Sequence, residues 1–367
     1  MVKVNVKLSA MFRDIVKVNN VSIDLTGETV KDLVTAMINE LGPQLGERIL
    51  DATTGELRRF VNIFVNGKDI RNLGGPNTKL NEGDEVRLIP AIAGGKDFMG
   101  LTQDQIVRYS RQIILKEVGG KGQKKLMSSK VLVVGAGGLG SPASLYLAAA
   151  GIGKLGIVDG DKVDLSNLQR QILHGSRAIG KSKVKSARDT ISGLNPEVEV
   201  IIYDERLCAE NVFDMLNGWD FVIDGSDNFP TKFLINDACV IEKVPFSHAG
   251  VLRFVGMTTT IIPHKGPCYR CFVPESPPPG MVPSCQEAGV LGTITGIVGS
   301  IQANEAMKFL LDLNGLLVGK ILFFDGQSMK FDEFEVKRNH SCSSCGENPL
   351  IKDLTQVDYG HVCEVRS

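Results

Sequence analysis

The sequence predicts an α/β protein of two unequal parts: a small domain ordered strand, strand, helix, strand, strand, and a larger one built on a parallel sheet with covering helices. Three observations predict it. Residues 1–90 carry short alternating runs around one helical stretch; residues 90–100 hold Gly94, Gly95 and Gly100 with no hydrophobic period; from Lys130, strand, glycine turn, helix and strand follow one another. Alternating β and α units call for parallel strands joined by right-handed crossovers.

Val2–Ser9 and Val16–Leu25 alternate polar and apolar like two hairpin strands. Thr26-Gly-Glu-Thr-Val opens a helical stretch to Leu41, with Val30, Leu33, Val34, Met37, Ile38 and Leu41 on one face. Phe60–Asn66 and Glu85–Ile89 supply further strands, the second after the turn Asn81-Glu-Gly-Asp. This is the order of a β-grasp, or ubiquitin-like, domain. A new helix is announced at Thr102, with Gln105 in the capping-box position. The expected division is therefore 1–95, a linker at 96–101, a second domain at 102–348 and a tail at 349–367.

Composition narrows the function classes. The chain has 367 residues, 43% apolar and 23% charged, with net charge −1, so no electrostatic case exists for nucleic acid or an anionic membrane. The longest apolar stretch, Ala288–Ala303, is interrupted by four glycines and falls short of a membrane span. The N-terminus reads as a strand and not as a signal peptide, so a cytoplasmic location is expected. Eight cysteines without an export signal point to metal or thiol chemistry in place of a disulfide framework.

Gly135-Ala-Gly-Gly-Leu-Gly140 follows an apolar strand and opens a helix, the context a dinucleotide-binding fingerprint requires. Such glycines bring backbone N–H groups to phosphate at a helix N-terminus. Asp159, at the end of the next strand, is placed to bind a ribose hydroxyl. The glycine motif alone equally suits an NAD-dependent dehydrogenase. Ser166-Asn-Leu-Gln-Arg170-Gln and Lys183 add cations that suit a triphosphate; read alone, they are also compatible with solvated surface charge. Asp220-Phe-Val-Ile-Asp-Gly-Ser-Asp227-Asn228 ends another strand in carboxylates, where Asp227 can hold Mg2+ on phosphates.

Cys268-Tyr-Arg-Cys271 and Cys342-Ser-Ser-Cys345 supply four thiolates, enough for a closed, structural tetrahedral zinc site. Cys208 and Cys239 lie in helix-like segments and read as core residues. Cys285 follows the proline-rich run Pro277–Pro283, which cannot be helical.

GAGGLG, SNLQRQ, DGSDN, the paired CxxC motifs and RYSRQIIL at 108–115 together resemble the ThiF/MoeB/HesA family of E1-like activating enzymes, in particular its molybdopterin-synthase adenylyltransferase type. The resemblance covers about residues 101–348 and implies a Rossmann-like adenylation domain. The glycine motif makes Gly135, Gly137, Gly138 and Gly140 ATP-binding candidates, and the resemblance carries ATP contacts onto Gly138, Asp159, the run from Ser166 and Asn167 to Arg170, Lys183, Asp227 and Asn228. It carries catalysis and Mg2+ onto Asp227, and onto Arg111 a reach into a partner subunit's site, hence a homodimer. Relatives use a cysteine near Cys285 as a nucleophile, which makes it a candidate. GDEVRLIPAIAGG is similar to the end of a MoaD/ThiS-like sulfur carrier, which makes Gly94 and Gly95 a functional tail able to enter a narrow channel.

The implied activity is ATP-dependent adenylation of a carrier's C-terminal glycine ahead of thiocarboxylate formation, expected to serve molybdopterin synthesis, with thiamine or amino-acid pathways as alternatives. The sequence ends soon after Cys345, so the expected sulfur donor is a separate protein. Lys96 follows Gly95, so Gly95 has no free carboxylate in the intact chain, and a self-inhibited binding fusion is the non-enzymatic alternative.

Overall fold

The computed structural model describes residues 2–8, 12, 15–16, 18, 20–51, 54–58, 61–90, 100–278, 281 and 285–359. Gly94, Gly95 and Lys96 lie outside the described residues. The chain divides into two compact units, Met1–Val107 and Arg108–Ser367.

In the first unit β1 (Val2–Leu8) pairs antiparallel with β2 (Asn20–Leu25) and parallel with β5 (Glu85–Pro90), which pairs antiparallel with β3 (Val61–Val65). A two-residue strand, β4 (Lys68–Asp69), completes the order β2-β1-β5-β3-β4. Helix α1 (Val30–Leu41) lays Val30, Leu33, Val34 and Met37 on that sheet, against Val4, Val6, Ile23, Leu25 and Leu88. The helix starts at Val30 and not at Thr26, because its capping box is built from Thr29 and Asp32: the Asp32 N–H donates to Thr29 Oγ1 at 3.3 Å and the Thr29 N–H to Asp32 Oδ2 at 3.0 Å. The second strand likewise starts at Asn20 and not at Val16, and a further short helix spans Pro43–Ile49. The Thr102 cap does form, with Gln105 Oε1 accepting from the Thr102 N–H at 2.9 Å.

The second unit holds an eight-stranded sheet ordered β13-β12-β11-β10-β9-β6-β7-β8. Its parallel part comprises β6 (Lys130–Val134), β7 (Lys154–Val158), β8 (Glu199–Tyr203), β9 (Phe221–Asp224) and β10 (Phe246–Leu252). The antiparallel strands β11 (Val255–Ile261), β12 (Lys320–Asp325) and β13 (Lys330–Glu335) extend one edge. Helices α2 (Gly140–Ala150), α3 (Lys183–Leu194), α4 (Phe229–Glu242) and α5 (Gly292–Leu310) cover the sheet. Alternate strand residues feed two separate cores: Val131, Val133, Phe221 and Ile223 face one, Leu132, Val134 and Val222 the other. That double burial explains the continuous apolar runs of the central strands.

The chain leaves β6 towards β7 and β8, then returns to β9 on the other side of β6. Strand order therefore reverses between β6 and β9, and open α/β sheets bind ligands at the carboxyl ends of strands flanking such a switch. Among the described residues no helix is long and apolar enough to cross a membrane. Cys208 and Cys239 are both buried, as the sequence predicts; Cys239 is a free thiol and Cys208 is disulfide-bonded.

Candidate functional site

A cavity of about 920 Å³ opens at the switch point, walled by Gly135, Gly137, Gly138, Asp159, Arg170 and Lys183 on the β6–β7 side and by Asp227, Asn228 and Lys232 on the β9 side. Gly135 turns the chain out of β6 with φ +96°, and a Cβ there would lie 2.7 Å from the Gly225 carbonyl oxygen. A Cβ on Gly140 would sit 1.8 Å from the Gly135 oxygen. Only glycine allows this tight entry to α2, which leaves the loop backbone facing the cavity. Beneath it His174 is buried, its Nε2 2.9 Å from the Ala136 oxygen and its Nδ1 3.0 Å from Ser186 Oγ.

The charges are arranged in pairs. Asp159 accepts from the Ala136 N–H at 2.9 Å, so its carboxylate braces the glycine loop. Burial raises its pKa, opposed by the nearby Lys183 charge. Lys183, itself buried, places Nζ 3.0 Å from Asp161 and 3.8 Å from Asp159. Asp161 also meets Arg206 at 3.2 Å. Burial pushes the Asp161 pKa up, but Lys183 and Arg206 outweigh that and hold it below the ordinary value. Asp227 and Asn228 are exposed at the rim, and Asn228 caps α4 by accepting from the Thr231 N–H at 2.9 Å.

Below Asp227 lies a buried charge network. Asp224 is fully buried and accepts from Ser226 Oγ at 2.5 Å, with Lys232 Nζ at 3.3 Å and His248 Nδ1 at 2.8 Å. Lys232 also donates to the Ser226 and Ala249 oxygens at 2.9 and 2.6 Å. Burial alone would raise the Asp224 pKa; Lys232 and His248 together hold it well below the usual carboxylate range. This network fixes the loop that carries Asp227.

Away from the cavity, the Sγ atoms of Cys268, Cys271, Cys342 and Cys345 all lie within 4.8 Å of one another. Sulfurs of Cys268 and Cys342 are 3.5 Å apart, and those of Cys271 and Cys345 3.4 Å. Four thiolates at about 2.3 Å from a tetrahedral zinc would be separated by about 3.8 Å, so the set fits that ion and leaves no open position. The Asn339 N–H points to Cys271 Sγ at 3.4 Å, and Arg270 forks onto buried Asp237 at 2.8 and 2.7 Å, tying the knuckle to α4.

Of the residues singled out in the sequence, Gly135, Gly137, Gly138, Asp159, Arg170, Lys183, Asp227 and Asn228 share one cavity. Gly140 lies outside its wall, as do Ser166 and Asn167, which shape the turn leading to Arg170: Ser166 Oγ donates to Asp164 at 2.6 Å and Asn167 Oδ1 accepts from the Asp164 N–H at 3.2 Å. Arg111 is exposed on the short helix Ser110–Ile113 and does not line this cavity. Cys285 begins the helix Cys285–Ala288, and its side chain lies outside the described residues. Sequence reading missed Asp161, Arg206, Lys232 and His248, whose types carry no motif; Gln171 stood inside the quoted SNLQRQ run without a role.

Residues 109–344 match the ThiF family model and residues 6–95 the ThiS family model. The chain is 47% identical over 267 residues to the SAMP-activating enzyme E1 of Haloferax volcanii, covering 73% of this chain and 98% of that protein. It is 43% identical over 273 residues to the sulfur carrier protein adenylyltransferase of Thermus thermophilus, covering 73% of this chain and 100% of that protein. Against the adenylyltransferase and sulfurtransferase MOCS3 of Culex quinquefasciatus it is 44% identical over 268 residues, 73% of this chain but 61% of that longer protein. Among solved structures, E. coli MccB with ATP superposes at TM-score 0.58 and 22% identity over 71% of this chain and 77% of that one, a likeness of fold.

Proposed function

The chain belongs to the ThiF family, and from that premise we propose that it is an adenylyltransferase that uses ATP to activate the C-terminal glycine of a ubiquitin-like sulfur carrier for sulfur transfer. One observation carries the reading: a glycine loop, two cations and a rim carboxylate converge in a single cavity at the sheet's switch point.

The glycine carboxylate of the carrier is already ionised at neutral pH, so no general base is needed. Its oxygen attacks the α-phosphorus, the bond from that phosphorus to the bridging oxygen breaks, and pyrophosphate leaves. Rate then rests on positioning and charge. The glycine loop N–H groups receive phosphate, and Arg170 and Lys183 offset its charge. Asp161 positions Lys183 at 3.0 Å; Arg206, 3.2 Å from Asp161, keeps that carboxylate paired when the lysine turns to a phosphate. Asp227, exposed at the rim, suits Mg2+, which would bring Lewis-acid charge neutralisation to the phosphates. We assign Arg111 to a neighbouring subunit's site, which makes the active form a homodimer, and the sulfur donor to a separate protein. A zinc ion in the four-cysteine set would tie together segments far apart in sequence and take no part in the chemistry.

The dehydrogenase alternative has lost its support, since the glycine motif now stands beside the paired cations and adenylyltransferase relatives. The test is exchange of labelled pyrophosphate into ATP, with Mg2+ and a carrier ending in a free diglycine. Wild type should exchange, and Asp227→Ala should lose about 100–1,000-fold. Failure of the wild type, or nicotinamide reduction in its place, would refute the reading.

A further inference from the structure

Gln171 is 5% exposed and forms part of the cavity wall. Its backbone is fixed on both sides: the N–H donates to the Asn167 oxygen at 2.9 Å and the oxygen accepts from the His174 N–H at 3.0 Å. Oε1 is sealed from solvent without a hydrogen-bond partner, and among the described residues Nε2 has none either.

Gln302 is a useful contrast. Its Oε1 is orphaned too, but its Nε2 donates to the Asp224 and Ser247 oxygens at 2.9 and 3.0 Å and so clamps β9 to β10. The fold accounts for Gln302; among the described residues no hydrogen bond accounts for the Gln171 side chain. A buried amide that satisfies no protein group costs stability that an apolar side chain of similar size would not. Phosphate oxygens only accept, so a phosphate would take its bond from Nε2, which no described protein acceptor holds, and not from Oε1.

The ligand is indicated by position. Nε2 lies 3.8 Å from where a Cβ on Gly137 would sit, and Gly137 belongs to the loop whose N–H groups receive phosphate. The amide is a donor aimed into that space, and phosphate is all acceptor. We propose that Gln171 is a further nucleotide-contacting residue, donating from Nε2 to a phosphate oxygen seated on the glycine loop. It deepens the adenylation reading and rests on it. Arg170 and Lys183 supply charge, which acts in all directions; a fixed neutral amide supplies direction, and so sets the orientation of the phosphate for in-line attack.

The experiment uses the full chain and three variants, Gln171→Leu, Gln171→Glu and Gln171→Asn. Three quantities are read: thermal midpoint, Mg-ATP affinity by calorimetry per folded molecule, and pyrophosphate exchange. Gln171→Leu should keep or raise the midpoint while losing at least about tenfold in affinity or exchange. Gln171→Glu should be worse, because it faces phosphate with a carboxylate, and Gln171→Asn should fall between because its donor is too short. Wild-type affinity and exchange in Gln171→Leu would overturn the proposal. So would a lowered midpoint with normal affinity per folded molecule, since that is the behaviour of a merely structural residue. A wild type that binds no Mg-ATP overturns the adenylation reading and this contact together, whereas an ATP-binding wild type that fails at exchange overturns only the former.

Discussion

His248 Nδ1 lies 2.8 Å from Oδ2 of Asp224, beneath the loop that presents Asp227, and both side chains are almost wholly buried. Three charges or potential charges, with Lys232, therefore sit under the reacting edge in place of apolar packing. Breaking one member of such a network leaves the others unpaired in a dry environment.

Stability should fall as pH is lowered from 7 to 5. The pKa of His248 is pushed below 6.5 first by burial, then by Lys232, against the pull of Asp224. His174 is lowered too, chiefly by burial, with Lys183 adding to it and the Ala136 oxygen opposing. Both therefore bind protons more weakly folded than unfolded. Their contribution is complete above 6.5 and is lost as pH falls through 6.5 towards the folded values. The slope approaches about 1.4 kcal/mol per pH unit for each histidine. Asp224 acts lower, its contribution present above 3.8 and lost as pH drops towards its depressed value. Denaturant titrations at several pH values, repeated on His174→Gln, should show the slope between 7 and 5 roughly halved; an unchanged slope would mean His174 does not titrate differently on folding.

Zinc analysis should find one ion per chain, with Cys271→Ser lowering the thermal midpoint by on the order of 10 °C. The pairs approach each other across 74 residues, so losing the metal should loosen the fold before it touches chemistry. A fully folded, zinc-free protein with unchanged midpoint would contradict the assignment.

Mixing Arg111→Ala with Asp227→Ala should restore activity neither variant has alone. In a heterodimer one site combines an intact Asp227 with the neighbour's intact Arg111, so roughly a quarter of wild-type activity is expected after full subunit exchange. Exchange of subunits without any gain would place Arg111 in its own subunit's chemistry or outside it.

The mass of the protein from its host should include a fragment ending at Gly95. The reason is chemical: while Gly95 is joined to Lys96 its carbonyl is an amide, which has no carboxylate oxygen to attack phosphorus. A single intact 39.7 kDa species that still supports sulfur transfer would favour a free carrier as substrate, with the N-terminal domain as a tethered competitor.

Much of this protein is written locally. The glycine loop, the strand before it, the Thr102 cap and the two CxxC pairs each rest on contacts within a few residues, so spacing alone specifies them. Helix α1 starts at Val30 because Asp32 reaches the backbone of Thr29 and so selects that residue as the cap, a choice that residue type alone leaves open between Thr26 and Thr29. Paired charges are a different matter. Lys183 with Asp161, and His248 with Asp224, stand 22 and 24 residues apart: the first two meet because the Lys183 N–H bonds the Asp161 oxygen where α3 begins, the second two because β9 and β10 lie parallel with these residues in register. Periodicity and short spacing encode the two domains, the nucleotide loop and the four thiolates, so each is legible before any fold is known. Tertiary structure alone decided which cysteine faces which, which cations are held by acids and which amide is left unpaired, because burial and distance belong to the assembled sheet and not to any segment of the chain.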